Sequence, residues 1–158
     1  MHHDHHIVEF MILSRVAPQP TLADTETAPA GTLEVGIALF ASMELGLAVF
    51  MAVAPHAFYT AIGPFGVFNP HYLRDVASFE GAIGIALLIA LRRPSWRVPV
   101  LALTTVQFAL HSVNHLVDID RAHPAWAGYF DFFSLASSTL LLAYLWRAAS
   151  LATEGSSS

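Results

Sequence analysis

The sequence predicts an all-α protein, a bundle of four transmembrane helices with a short interfacial helix between the first and the second, and three observations predict it. Of the 158 residues 55% are apolar and 12% charged, with a mean hydropathy of +0.56, where an ordinary soluble domain carries about 25% charged residues. Four apolar segments each approach the roughly 20 residues that a helix needs to cross about 30 Å of hydrocarbon. The arginines fall unevenly between the two sides of such a bundle, which sets one orientation for it.

Residues 1–30 open on MHHDHH, pass through a short apolar stretch at 7–13 and become rich in Pro, Thr and Ala, a composition expected to be a disordered tail. The 7–13 stretch is too short to span and lacks a basic flank, so a brief interfacial helix is expected there and a cleaved secretory leader is not. His2, His3, His5 and His6 read as a flexible polar start, because no framework fixes them into a metal shell.

The first span, 33–53, is apolar apart from Glu34, Ser42 and Glu44. Residues 54–69, APHAFYTAIGPFGVFN, suit a bent interfacial element, with Pro55 in the first turn of a short helix and Gly63-Pro64 as its stop. Further spans are expected at 72–91, 98–117 and 126–146. RRPSWR leaves room only for a tight turn between the second and third, and Pro94 ends the helix before it, so these two are antiparallel neighbours. Ala77, Gly81 and Gly84 give the second span a small face for close helix approach, and Trp96, Trp126 and Trp146 fall at boundaries as interfacial anchors. The domain reading is therefore a tail at 1–30, a four-helix transmembrane domain at 31–148 and a flexible C-terminal tail at 149–158.

Arg92, Arg93 and Arg97 flank one turn, and Arg15 and Arg147 fall on the same side, against Arg74 and Arg121 on the other. This bias places both termini in the cytoplasm. The bilayer is the expected partner, with a membrane-protein partner or a second copy of the chain as further association. Scattered arginines give no basic patch for nucleic acid. Without cysteine, disulfides, thiolate nucleophiles and iron-sulfur ligation are excluded, which leaves carboxylate, imidazole and hydroxyl chemistry.

That chemistry is set into the spans themselves. Glu44, Glu80, His111, His115 and Asp131 are polar groups in apolar helices; a charged side chain costs about 2.5 to 3.5 kcal/mol at mid-membrane depth, so a shared interior site is expected. At 1.5 Å per residue they fall in one layer, roughly 5 to 14 Å below the outer boundary. On the third span Gln107, His111, His115 and Asp118 recur at helical spacing with Asn114 beside them, and on the fourth Asp131, Ser134 and Ser138 do the same. Glu44, Glu80, His111, Asn114, His115 and Asp131 are the expected ligand or proton site, with His71, Arg74, Asp75 and Asp118 at its mouth and Phe58, Tyr59, Phe65, Phe68 and Tyr72 as a lid. The matched depths predict a nitrogen of His111 or His115 within about 4 Å of Glu80 or Asp131, directly or through water.

Three chemistries fit such a layer. One is a small-molecule, quinone-like or proton-handling site. A second is a metal held by His111 and His115 at i and i+4 with carboxylates from other helices. The third is a network that only fixes helix packing. Haem cannot use both histidines of one helical face, and would need one of them with a histidine elsewhere such as His71.

The stretch from NPHYLRD to VPVLAL, followed by HSVNHLVDID and AHPAW, resembles a group of small uncharacterised four-helix membrane proteins of high-GC bacteria, broadly similar to the DoxX-like superfamily. The resemblance covers residues 33–147, and its marks are His71, Tyr72, Arg74 and Asp75 in HYLRD and His111, Asn114, His115 and Asp118 in HxxNHxxD. It implies a four-helix bundle in a bacterial inner (plasma) membrane and, through relatives similar to quinone-linked oxidoreductase subunits, an accessory subunit of a membrane redox complex rather than an autonomous enzyme.

Overall fold

A computed structural model describes residues 31–155; the expectations for the N-terminal tail and its histidines, and for 156–158, lie outside the described residues. The described chain is all-α, with α1 at Thr32–Val53, α2 at Pro55–Ala61, α3 at Pro70–Arg92, α4 at Arg97–Val117 and α5 at Ala125–Gly155. Single 3₁₀ turns at Pro94–Trp96 and Ile119–Arg121 lead into the last two helices.

Local signals set these limits. Asn69 Oδ1 accepts hydrogen bonds from the backbone N–H of His71 and of Tyr72, both at 3.1 Å, and Pro70 takes the first helical position, where its missing N–H costs nothing. Pro55 plays the same part in α2, which ends ahead of Gly63-Pro64. The extended Arg93 before Pro94 closes α3. One limit departs from the sequence reading: α5 continues to Gly155, so residues 149–155 are helix rather than a flexible tail. Ala148, Ala149, Leu151 and Ala152 are strong helix formers, and Ala149 is buried against the core.

The helices pack as two pairs, α1 along α3 and α4 along α5, and the pairs meet in thinner seams between α3 and α4 and between α1 and α5. Glycine sets the first pairing. A Cβ on Gly84 would stand 2.7 Å from Leu45 Cγ and 3.1 Å from the Leu45 backbone nitrogen, so α1 and α3 approach at a separation that only glycine permits there. Between α1 and α5, a Cβ on Gly36 would stand 2.7 Å from both methyl carbons of Leu145.

The apolar core fills one end of the bundle, where Leu33 and Ile37 of α1 meet Leu87 and Ala90 of α3, Leu101 of α4 and Leu145 of α5. Arg97 ties that end together, pairing with Glu34 at 2.9 Å and donating from Nε to the Ala90 carbonyl at 3.4 Å. At the opposite end the two connections meet: Phe65 and Ala122 form an isolated antiparallel bridge, and the His123 N–H donates to the Pro64 carbonyl at 3.4 Å. Four hydroxyls of the second pair are satisfied within their own helices. Thr104, Thr105, Ser112 and Thr139 each donate to the carbonyl four residues back, and Ser112 also meets Thr139 across the α4–α5 pair at 3.3 Å.

Among the described residues three helical segments are long and apolar enough to cross a membrane: Thr32–Val53, Pro94–Val117 and Ala125–Gly155. α3 is as long, but it carries Arg74, Asp75, Glu80 and Arg92. Leu39, Val49, Val53, Leu103, Leu110, Phe133 and Leu140 each leave more than half of their surface uncovered. So broad an apolar exterior is foreign to a water-facing monomer.

The glycines give a graded test. A Cβ on Gly128 would overlap the Ile119 carbonyl oxygen, on Gly84 it would press on the Leu45 backbone, and on Gly81 it would make ordinary contact with Ala48 at 3.5 Å. Alanine gains up to about 1 kcal/mol of helix propensity over glycine, while forced overlap costs about 1–3 kcal/mol. Thermal unfolding in detergent should therefore rank Gly128→Ala as the least stable, Gly84→Ala next, and Gly81→Ala at or above the parent.

Candidate functional site

Between the two helix pairs, at the end away from the apolar core, lies a cavity of about 350 Å³. Glu44 of α1, Glu80 of α3, His111 and His115 of α4 and Asp131 of α5 all line it. Helical spacing brings them there. Gln107, His111 and His115 advance by four residues at a time, about 40° per step, and so stay on one face. Asn114 lies about 60° to the other side of His111; it is exposed and does not line the cavity, contrary to the expected set. Gln107, Ser134 and Ser138, which share the polar faces of their helices, do line it.

The expected mouth is also different. His71 is exposed and pairs with Asp75 at 3.6 Å, Arg74 is exposed, and Asp118 pairs with Arg121 at 3.2 Å; none of the four lines the cavity. They sit in the first turns of α3 and just past the end of α4, where water is within reach and long side chains turn outward. Apolar groups close this end instead: Phe58, Ile62, Gly63, Phe65 and Leu73. Of the expected lid, Tyr59 and Phe68 form a second layer, with Tyr59 donating to the Gly66 carbonyl at 2.6 Å and its ring 5.4 Å from that of Phe68. Tyr72 is exposed. Gly66 adopts φ +61°, which lets the chain reverse into the bridge with Ala122.

Inside, acceptors outnumber donors. Glu44 is 1% exposed, neither of its carboxyl oxygens receives a hydrogen bond, and the group that it meets is the Glu80 carboxyl, another acceptor. Gln107 Nε2 donates to Glu80 Oε1 at 3.4 Å. Gln107 Oε1, Asp131 Oδ2 and His115 Nδ1 are buried without partners. No arginine lines the cavity and the chain has no lysine. Two carboxyl groups facing each other without a cation are hydrogen-bonded only when one of them holds a proton.

The histidines pair with each other, not with the acids. His111 Nε2 and His115 Nε2 are 3.1 Å apart, one donating and the other accepting, and the Phe65 ring meets His115 edge-on at 4.9 Å between centroids. Among the described residues no ion pair joins His111 or His115 to Glu80 or Asp131, so the expected direct contact is not made. Imidazoles at i and i+4 reach one another along the helix, whereas the carboxyls of other helices stand across the cavity. His111 remains within electrostatic range of Glu80, and His115 of Asp118.

This arrangement bears on the metal expectation. Among the described residues no three His, Asp or Glu side chains converge as a metal shell requires, and His111 and His115 turn their Nε2 atoms toward each other. A haem spanning to His71 meets the same obstacle, since His71 faces away from the cavity residues and into its pair with Asp75.

Glu44→Gln tests the unsatisfied state directly. The amide supplies a permanent N–H donor to Glu80, so the contact no longer depends on a shared proton and the unfolding temperature in detergent should rise, corresponding to about 1–3 kcal/mol. A fall would mean that Glu44 is held by a partner. Set against protein-family models, curated proteins and solved structures, the chain matches none.

Proposed function

We propose that this chain is an integral membrane protein of four crossing helices, with both termini on the cytoplasmic side of a bacterial inner membrane, whose outer-half cavity is a small-molecule site that exchanges protons with the outer face. The observation that carries the reading is Glu44, enclosed and without a donor for either oxygen. A network that serves only to fix packing ends satisfied, because each buried unpaired polar group costs about 1–3 kcal/mol. Here orphan atoms on Glu44, Gln107, His115 and Asp131 surround one cavity, which favours a ligand over the packing alternative.

In this reading α3 crosses over 76–91, with Glu80 turned inward and Arg74 and Asp75 at the water boundary. Protons pass between the Glu44–Glu80 pair and the outer face by way of His111 and His115, each within range of the next group, and Asp118 receives them at the surface. Phe58 and Phe65 keep water from short-circuiting that route. Among quinone-like molecules the reduced form, with hydroxyl donors, complements these acceptors; the quinone carbonyls do not. Such a chain acts as a DoxX-like accessory subunit beside a membrane redox partner.

Topology is checked with single cysteines, introduced cleanly because the chain has none. Ser95→Cys and Asp120→Cys, both at exposed positions, should label from opposite faces of sealed vesicles; labelling from one face would sink the four-crossing assignment. For the proton route, the protonated-carboxyl band in the infrared, assigned by its loss in Glu44→Gln, should exchange in heavy water. His115→Phe should slow that exchange by about tenfold or more, the scale on which a positioned proton-transfer group acts. An unchanged rate would place the route elsewhere.

A further inference from the structure

Resting on the small-molecule reading above, we propose that the cavity selects a lipophilic organic cation, a protonated amine on an apolar body, and admits it sideways from the bilayer between α1 and α5. The head is assigned by what the cavity lacks. Three carboxyl groups, those of Glu44, Glu80 and Asp131, line it with no arginine or lysine among them. Glu44 is enclosed with both oxygens unpartnered, and Gln107 and Asp131 add an unpartnered oxygen each. An ammonium group brings up to three N–H donors and a positive charge, which satisfies several of these atoms at once, whereas a hydroxyl brings one donor and no charge. Phe58, Phe65, Phe108 and Phe130 line the same walls, and aromatic rings attract a cation.

The body and the route follow from how the helices meet. α1 and α5 touch at the core end, where Gly36 admits Leu145. Farther along, Met43 and Leu47 of α1 and Phe130 and Ser134 of α5 line the cavity. Met43, Phe130 and Ser134 line the cavity and are also exposed, while Glu44 beside them is enclosed, which makes this mostly apolar seam the route of entry. A molecule dissolved in lipid reaches the acids through that gap with its apolar body last.

The test uses one body with three heads: 4-phenylbutylamine, 4-phenylbutanol and 4-phenylbutyrate, titrated calorimetrically at neutral pH into the full-length protein in nanodiscs, with empty nanodiscs subtracted. The ammonium should bind at one per chain, and at least about tenfold more tightly than the alcohol, the scale of one charge-assisted hydrogen bond; the carboxylate should not bind. Glu44→Gln and Asp131→Asn, both near-isosteric, should each weaken the ammonium by a similar factor while the folded fraction holds, and Ser134→Trp should weaken it by filling the rim. Equal or tighter binding of the alcohol, with no response to Glu44→Gln, would overturn the cation and leave a neutral-ligand site standing. No binding of any of the three would also overturn the cation, with the proton-route measurement then deciding the site itself.

Discussion

Three carboxyl groups share one enclosed site that holds no cationic side chain, and this constraint sets the two ends of the molecule apart. Where α1, α3, α4 and α5 present leucine, isoleucine and alanine, the two helix pairs close on a core with Ile37, Leu87, Leu101 and Leu145 fully enclosed. About two turns on along α1 and α3 and about four along α5, where Glu44, Glu80 and Asp131 stand, the same helices surround a cavity. The apolar end therefore supplies the stability and the acidic end spends part of it, the usual division between a fold and the site it carries.

Glycine makes that division sharp. Because Gly84 draws α3 onto Leu45, the residue just after Glu44, the first pair is held rigid at the depth where its acids meet. The second pair is fixed at a similar depth by Ser112 and Thr139. Between these two walls Glu44 keeps its place without a donor of its own, and the aromatic cover is joined to both walls through the Phe65–Ala122 bridge.

The helices and their order were legible because apolar runs, prolines and a tight RRPSWR turn speak directly about backbone. The layer of Glu44, Glu80, His111, His115 and Asp131 was legible from depth alone, since rise per residue is a fixed quantity. Direction was harder. Asn114 shares the depth of His115 and yet points elsewhere, and His71, Arg74, Asp75 and Asp118 lie near the right level but turn to water or to each other. Which neighbour a side chain chooses depends on helix rotation and on the i, i+4 partner, as His111 and His115 illustrate by pairing with each other. The continuation of α5 to Gly155 went unread because its last turns are helical by propensity but no longer apolar enough to count as a span.

α5 also carries a ruler. Trp126 and Trp146, both exposed, stand about 30 Å apart along the helix axis, matching the hydrocarbon thickness, and beyond the second the helix turns polar with Arg147 and Ser150. In a bilayer of that thickness its extra length would protrude into water rather than demand tilt. In a bilayer several ångströms thinner than this interval the indoles reach their boundaries only if α5 leans, and α5 is the wall of the cavity opposite α1. Bilayer thickness then becomes a mechanical input, widening or narrowing the seam beside Ser134 without any molecule bound.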